Sequence, residues 1–247
     1  MGTVRAAWSD ASAGDLRPTG EGSGDAGPLT TWVAGATAGP AGPAVGRVHW
    51  IRQVHGSAVL VVEARTGPGP GGTDAPSPWP TAVLDGEGDA LVSAAPSTGL
   101  AILTADCASI ALGSPEGVFG AVHAGWRGLL DGVVGHAVGV MKEHGATGVV
   151  GVLGPCIHPE CYEFSASDLD RLASRFGDRV RARTGDGRSA LDLPAAVAAA
   201  RTEAGADLHP AASPCTGWGG GYFSHRAGGD TGRQALVVWA SPVDRPG

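Results

Sequence analysis

Residues 100–130 read LAILTADCASIALGSPEGVFGAVHAGWRGLL, and their pattern decides the fold class. Leu100–Thr104 and Val118–Val122 are short apolar runs bounded by Gly or Pro turn signals, the mark of buried strands. Asp106-Cys107 follows the first run, and His123-Ala124-Gly125-Trp126-Arg127-Gly128 closes the second. A thiol, an imidazole and a guanidinium are therefore expected at adjacent strand ends, where an α/β fold carries its chemistry. Beyond Gly128, the residues Leu129, Val133, Val134, Ala137, Val140 and Met141 recur at helical spacing. The unit is strand, Gly-rich turn, helix, and the first amides of that helix are expected to hold an anion beside Arg127. Taken alone, His123 suits a core histidine and Arg127 a surface cap. Their convergence with Cys107 is what favours a site.

Upstream, Val48–Val54 reads as a strand ending at His55-Gly56, and Ala58–Val62 as another. Thr66–Pro80 reads as a loop, and Asp85–Val92 as a solvated turn leading into a strand. In that turn Asp85, Glu87 and Asp89 lack the spacing and closing Glu of an EF-hand, and Asp89 is the member to watch. Residues 1–46 are poorly patterned and rich in Gly, Ala, Ser and Pro. Asp10–Asp25 reads as loop, and part of the segment is expected to be disordered.

Downstream, Val149–Leu153 is a strand candidate leading into GPCIHPECYE. The Cys156-x4-Cys161 spacing is neither that of a zinc ribbon nor that of a zinc deaminase, so this stretch is expected to line the cleft. Ser167–Asp170 is expected to open a helix with Leu169, Leu172 and Phe176 as its apolar stripe. A second helix is expected over 192–204, with Pro194 in its first turn. Cys215–Tyr222 is a glycine-rich loop without the Lys-Ser/Thr of a P-loop, and Gln234–Trp239 is the last strand. No internal repeat and no clear linker divides the chain.

The 247 residues suffice for one large domain with a sizeable core. The net charge of -7, a single lysine (Lys142) and the lack of a Lys/Arg-rich run argue against nucleic-acid binding. The N-terminus has no signal-peptide core and no apolar run is long enough to span a bilayer. A soluble cytoplasmic protein is expected, with its four cysteines reduced, catalytic or metal-bound.

The motifs occur in a telling order. QVHG stands at Gln53–Gly56, TADC at Thr104–Cys107, HAGWRG at His123–Gly128, GPCI at Gly154–Ile157 and CYE at Cys161–Glu163. CT at Cys215–Thr216, FSHR at Phe223–Arg226 and TGR at Thr231–Arg233 follow. Over roughly residues 48–240 this resembles the laccase-domain family, also called multicopper polyphenol oxidase or peptidoglycan editing factor. The resemblance implies a single layered α/β domain with sheets flanked by helices. Residues 47–247 would form the metal-binding catalytic domain and 1–46 a segment ahead of it. Periodicity alone supports only mixed α/β.

The resemblance further implies a metal, usually zinc, held by His55, Cys107 and His123. The chemistry agrees: two imidazoles and one thiolate make a normal zinc set with an open position. Cys107, His123 and Arg127 are then the catalytic candidates, and Gln53, Arg127, Ser224 and Arg226 the substrate-binding ones. Two departures stand out. The family's Asn-Arg pair upstream of QVHG is missing, since the chain has no Asn, and the tandem Arg after FSH is Arg226-Ala227. Both remove a candidate substrate or phosphate contact and leave the metal triad intact.

The activity implied is purine nucleoside phosphorolysis of adenosine, inosine and methylthioadenosine, with adenosine deamination beside it. Nucleoside and phosphate would be the partners, with neither nucleic acid nor membrane. Three alternatives stand. One is a copper phenol oxidase, to which eight histidines without His-x-His pairs are poorly suited. Another is a metal-free hydrolase using Cys107 and His123 in peptidoglycan-precursor editing. The last is a non-enzymatic partner protein with a weakened site.

Overall fold

The strands of the 100–130 stretch belong to two sheets, not one. The structure, a computed structural model, describes residues 3–18, 27–39, 42–64, 81–209 and 213–241. The chain opens with β1 (Thr3–Trp8), α1 (Pro28–Ala36), the short pair β2 (Ala38–Gly39) and β3 (Gly42–Pro43), then β4 (Arg47–Arg52) and β5 (Val59–Val62). It continues through β6 (Thr81–Glu87), β7 (Ala90–Ser93), β8 (Thr98–Thr104), β9 (Ala108–Gly113) and β10 (Phe119–Ala124). Next come α2 (Trp126–Leu130), α3 (Val133–Glu143), β11 (Val150–Leu153), α4 (Ala166–Phe176), β12 (Arg181–Arg183) and β13 (Ser189–Leu191). The last elements are α5 (Leu193–Ala204), β14 (Asp207–Leu208), α6 (His225–Gly228) and β15 (Gln234–Ser241).

One sheet has the order β1-β15-β8-β4-β6 and the other β14-β11-β9-β10-β7-β5. Both are mixed: β4 pairs in parallel with β6 and β8, while β9 and β10 pair antiparallel. The sheets are stacked, so their inner and outer faces are both apolar, which is why the strands read as continuous runs and not as alternations. Leu100 and Ile102 of β8 meet Phe119 and Ala121 of β10 between the sheets, together with Leu236 and Val238 of β15. The alternate residues Ala101, Ala235, Val237 and Trp239 face outward toward Leu16, Leu29 and Val33 of the N-terminal segment. On the far side, Ile110, Leu112 and Val122 pack under α2, α3, α4 and α5. The layers are thus α1, sheet, sheet, helices. Among the described residues no helix is long and apolar enough to cross a membrane.

Several local expectations are revised. The segment 1–46 supplies β1, which pairs with β15 from Thr3↔Ser241 to Trp8↔Leu236, and α1, which covers one sheet. Trp8 also donates from its indole to Ser109 Oγ of the other sheet at 3.0 Å. Asp10–Asp25 includes a 3-10 turn at Ala11–Ala13, and its residues 19–25 lie outside the described ones, as does the whole Thr66–Pro80 loop. Asp85 and Glu87 lie within β6, not in a turn; Asp85 Oδ2 meets His49 Nδ1 of the neighbouring strand at 2.8 Å. The strand before QVHG stops at Arg52, and α4 is capped by Ser165, two residues before the expected start. Its stripe of Leu169, Leu172 and Phe176 is buried as expected, and α5 begins after Asp192 with Pro194 in its first turn.

Candidate metal centre

Stacking brings the end of β8 and the end of β10 together although they lie in different sheets. Cys107 sits in the tight link from β8 to β9, where Asp106 turns the chain at φ +86°. His123 sits on β10 out of phase with Val122 and Ala124, so it points away from the helix layer. His55 occupies the turn after β4 at φ +61°. One donor atom from each of His55, Cys107 and His123 lies within 4.8 Å of the others, and the two rings meet edge-on at 4.9 Å between centroids. Among the described residues this is the one such group of three.

Two glycines of HAGWRG explain the motif. A Cβ at Gly125 would lie 3.1 Å from His55 Cδ2, 3.3 Å from Cys107 Sγ and 3.9 Å from His123 Cε1. A Cβ at Gly128 would lie 2.7 Å from the carbonyl oxygen of Gly56. Any side chain at either position would push the three donors or the QVHG turn aside.

Asp89, fully buried, stands behind the group. Its Oδ1 is 2.7 Å from His123 Nδ1 and accepts from the His55 amide at 2.9 Å, while Oδ2 accepts from the Gly56 amide at 2.7 Å. Burial pushes its pKa up, but the His123 hydrogen bond and these amides outweigh that and hold it below the usual carboxylate range. Cys107 shows the same competition. Burial raises the thiol, and the charge and hydrogen bonds of His123 and His55 bring it down to about 6. For His123, burial lowers the pKa, and Cys107 with Asp89 lifts it to about 9. For both groups the partner effects oppose burial and favour the charged form, and the thiolate is the form of Cys107 that ligates a metal. Two imidazoles, one thiolate, a glycine-lined gap and an oriented histidine fit a tetrahedral metal with an open position.

The group opens onto a cavity of about 680 Å³, whose wall includes Arg17, Trp50, Arg127, Tyr162, Arg226 and Arg233. Arg127 lies over Trp126, 4.2 Å from the ring centroid, and among the described residues no carboxylate pairs with it. Arg226 lies over Tyr162 and donates to the Glu163 carbonyl at 2.7 Å. Gln53 also lines the cavity, but both ends of its amide bind the backbone of Leu103, at 2.7 and 2.9 Å. Ser224 is buried behind the wall: its hydroxyl donates to Asp106 Oδ1 at 2.7 Å and caps α6 by accepting from Ala227.

The expected anion site in the amides after Gly128 is not formed. The helix starts earlier, at Trp126, so the Leu129 amide already bonds the Gly125 carbonyl at 2.9 Å. Cys156, Cys161 and Cys215 are free, with Cys156 and Cys215 joined as a backbone bridge, and of the stretch 154–163 expected to line the cleft it is Tyr162 that reaches the cavity wall. Sequence alone misses Asp106 as an organiser. Besides Ser224, it accepts from Thr216 Oγ1 and the Arg226 amide, both at 2.7 Å. Its place in TADC is the available signal. Arg17, from the N-terminal segment, reaches the cavity with no motif to announce it.

Comparison with known proteins now decides the family. The signature of the multi-copper polyphenol oxidoreductase laccase family matches residues 36–241. The chain belongs to this family. A purine nucleoside phosphorylase of Streptomyces coelicolor is 38% identical over 196 residues, covering 78% of this chain and 75% of its own. A purine nucleoside phosphorylase of Deinococcus radiodurans is 36% identical over 192 residues, covering 76% and 68%. The solved structure of YlmD from Geobacillus stearothermophilus superimposes with a TM-score of 0.64 at 28% identity, covering 87% of this chain and 78% of that one. Bacillus licheniformis YfiH, at 23% identity and a TM-score of 0.60, shares the fold over 77% of this chain and 73% of its own. The laccase-family match begins at residue 36, so β1 and the cavity-lining Arg17 lie ahead of the matched region.

Proposed function

We propose that this laccase-family chain is a zinc-dependent purine nucleoside phosphorylase acting on adenosine, inosine and methylthioadenosine, with adenosine deamination as a side activity. One observation carries the proposal: His55, Cys107, His123 and Arg127 face a single cavity, and Arg127 has no carboxylate partner among the described residues. The names of the relatives support the same reading. The cavity volume lies in the range usual for small-molecule sites.

In phosphorolysis an oxygen of inorganic phosphate bonds C1′ of the ribose as the bond from C1′ to the purine nitrogen breaks. The base leaves with the bonding electrons and takes up a proton, and the sugar leaves as ribose 1-phosphate. The Arg127 guanidinium, held by its stack on Trp126, suits a phosphate bidentately. Trp50 and Tyr162 give the cavity aromatic walls suited to flank a flat base. Zinc, when bound, supplies a Lewis acid that polarises a substrate oxygen. Copper would find acceptable ligands in the same donors. Phenol oxidation by several coppers is the weaker reading, because the described residues offer one such group. The four free cysteines fit the reducing cytoplasm we propose as its location.

One observation favours a second reading. Asp89, His123 and Cys107 also line up as orienting carboxylate, base and thiol, the logic of a cysteine hydrolase. The separating experiment incubates inosine with and without phosphate, before and after chelation, and identifies the sugar. Ribose 1-phosphate formed only with phosphate and metal supports the phosphorylase. Ribose formed without either supports the hydrolase.

A further inference from the structure

We propose that Asp89 is the positioning residue that assembles the metal-binding group, fixing the His123 tautomer and the His55 turn with one carboxylate. The inference rests on the metal reading of His55, Cys107 and His123 given above. Three successive amides, those of Val54, His55 and Gly56, point at the Asp89 carboxylate, at 3.4, 2.9 and 2.7 Å. Successive amides around a left-handed residue form an anion-binding nest. Here the left-handed residue is His55, at φ +61°, and the anion is a side chain of the protein itself. QVHG is thus a nest closed by Asp89, and the closure holds a non-glycine residue in a left-handed conformation that side chains rarely adopt.

The same carboxylate is 2.7 Å from His123 Nδ1. A carboxylate only accepts, so Nδ1 carries the proton and Nε2 is the nitrogen left with a lone pair for a metal. The main chain of Asp89 repeats the link: its carbonyl accepts from the His123 amide at 2.7 Å, and its own amide donates to the Ala58 carbonyl at 2.9 Å. One buried residue just ahead of β7 therefore ties the β4–β5 turn to β10, two of the three elements that bring donors.

The test measures zinc affinity of the wild-type chain and of Asp89→Asn by competition with a chromophoric chelator, on folded protein checked by thermal denaturation. In Asp89→Asn one accepting oxygen becomes an NH2, which must face either the nest amides or the His123 Nδ1 proton. Zinc affinity should fall about 10–100-fold, the usual loss for a group that orients a metal-ligating histidine. The ligand-field bands of the cobalt(II) form should shift as well. A residue that merely stabilised the fold would lower the melting temperature and leave both readouts unchanged, and that result overturns the inference. If Asp89→Asn does not fold, 15N spectra of the zinc-loaded wild-type chain decide. A His123 proton on Nδ1 supports the inference, and a bare Nδ1 overturns it. A wild-type chain that takes up no zinc overturns the metal reading first and this inference with it.

Discussion

Gly125→Ala inserts one methyl group among the three donors and little else. Gly125 has φ −71° and ψ 162°, which alanine adopts freely, so the backbone is not strained. The new Cβ would lie 3.1 Å from His55 Cδ2 and 3.3 Å from Cys107 Sγ. Ordinary carbon contacts start near ~3.5 Å, so the His55 ring must retreat by roughly 0.4 Å or more. Metal–ligand distances tolerate only about 0.2 Å, so one donor is lost or badly placed. Zinc affinity should fall by at least about 10-fold, the lower end of what disturbing an orienting group costs. Stability should change little. An alanine N-cap in place of glycine costs about 0.5–1 kcal/mol, or roughly 1–4 °C in a chain of this size. Chelator competition reads the first effect and thermal denaturation the second. Gly128→Ala is the contrast. Its Cβ meets the Gly56 carbonyl at 2.7 Å, backbone against side chain, so it should destabilise the fold by about 1–3 kcal/mol. Unchanged zinc affinity in folded Gly125→Ala would refute the assembly of the site around His55 and Cys107.

Arg127→Ala should lower turnover on the order of 10²–10³-fold with zinc content unchanged, because it removes a placed cation and touches no metal ligand. A variant that loses zinc or unfolds instead would make Arg127 structural. Asp106→Asn keeps a residue tolerant of φ +86°, but sets an NH2 against the Arg226 amide or the two hydroxyls. It should cost about 1–3 kcal/mol by thermal denaturation while zinc uptake persists. Deleting residues 1–9 removes β1 from the edge of β15 and the Trp8 bond to Ser109, and should yield aggregated or unfolded protein. A soluble, active truncation would show that the β1–β15 pairing is not needed for the fold.

The sequence made β8, β10 and α3 readable because their apolar content is dense and their turns carry Gly or Pro. It could not tell that β8 and β10 lie in different sheets, since a strand buried on both faces gives no sign of its neighbour. β6 was hidden for another reason. Its Asp85-Gly86-Glu87 end is poor in strand formers, and the strand is held by pairing to β4 and by the His49–Asp85 bond, both tertiary effects. β1, an edge strand with three half-buried residues at its end, was masked by its Ala- and Gly-rich surroundings. Among site residues, His55, Cys107 and His123 were legible through motifs and donor chemistry, and the structure brings them together. Gln53 and Ser224 were named for their motifs, yet their polar atoms bind the protein itself. Arg17 reaches the cavity through a loop in which Asp15 bonds both Arg17 and the Arg233 amide, a contact across 218 positions that no local pattern announces.

The proposed use of one metal at His55, Cys107 and His123 for phosphorolysis in the adjoining cavity has a direct test. The most direct measurement titrates zinc into metal-stripped protein with inosine and phosphate present, following ribose 1-phosphate. The rate should climb with zinc, break at one ion per chain and vanish when phosphate is withheld. Release of free ribose at a rate indifferent to zinc and phosphate would contradict it.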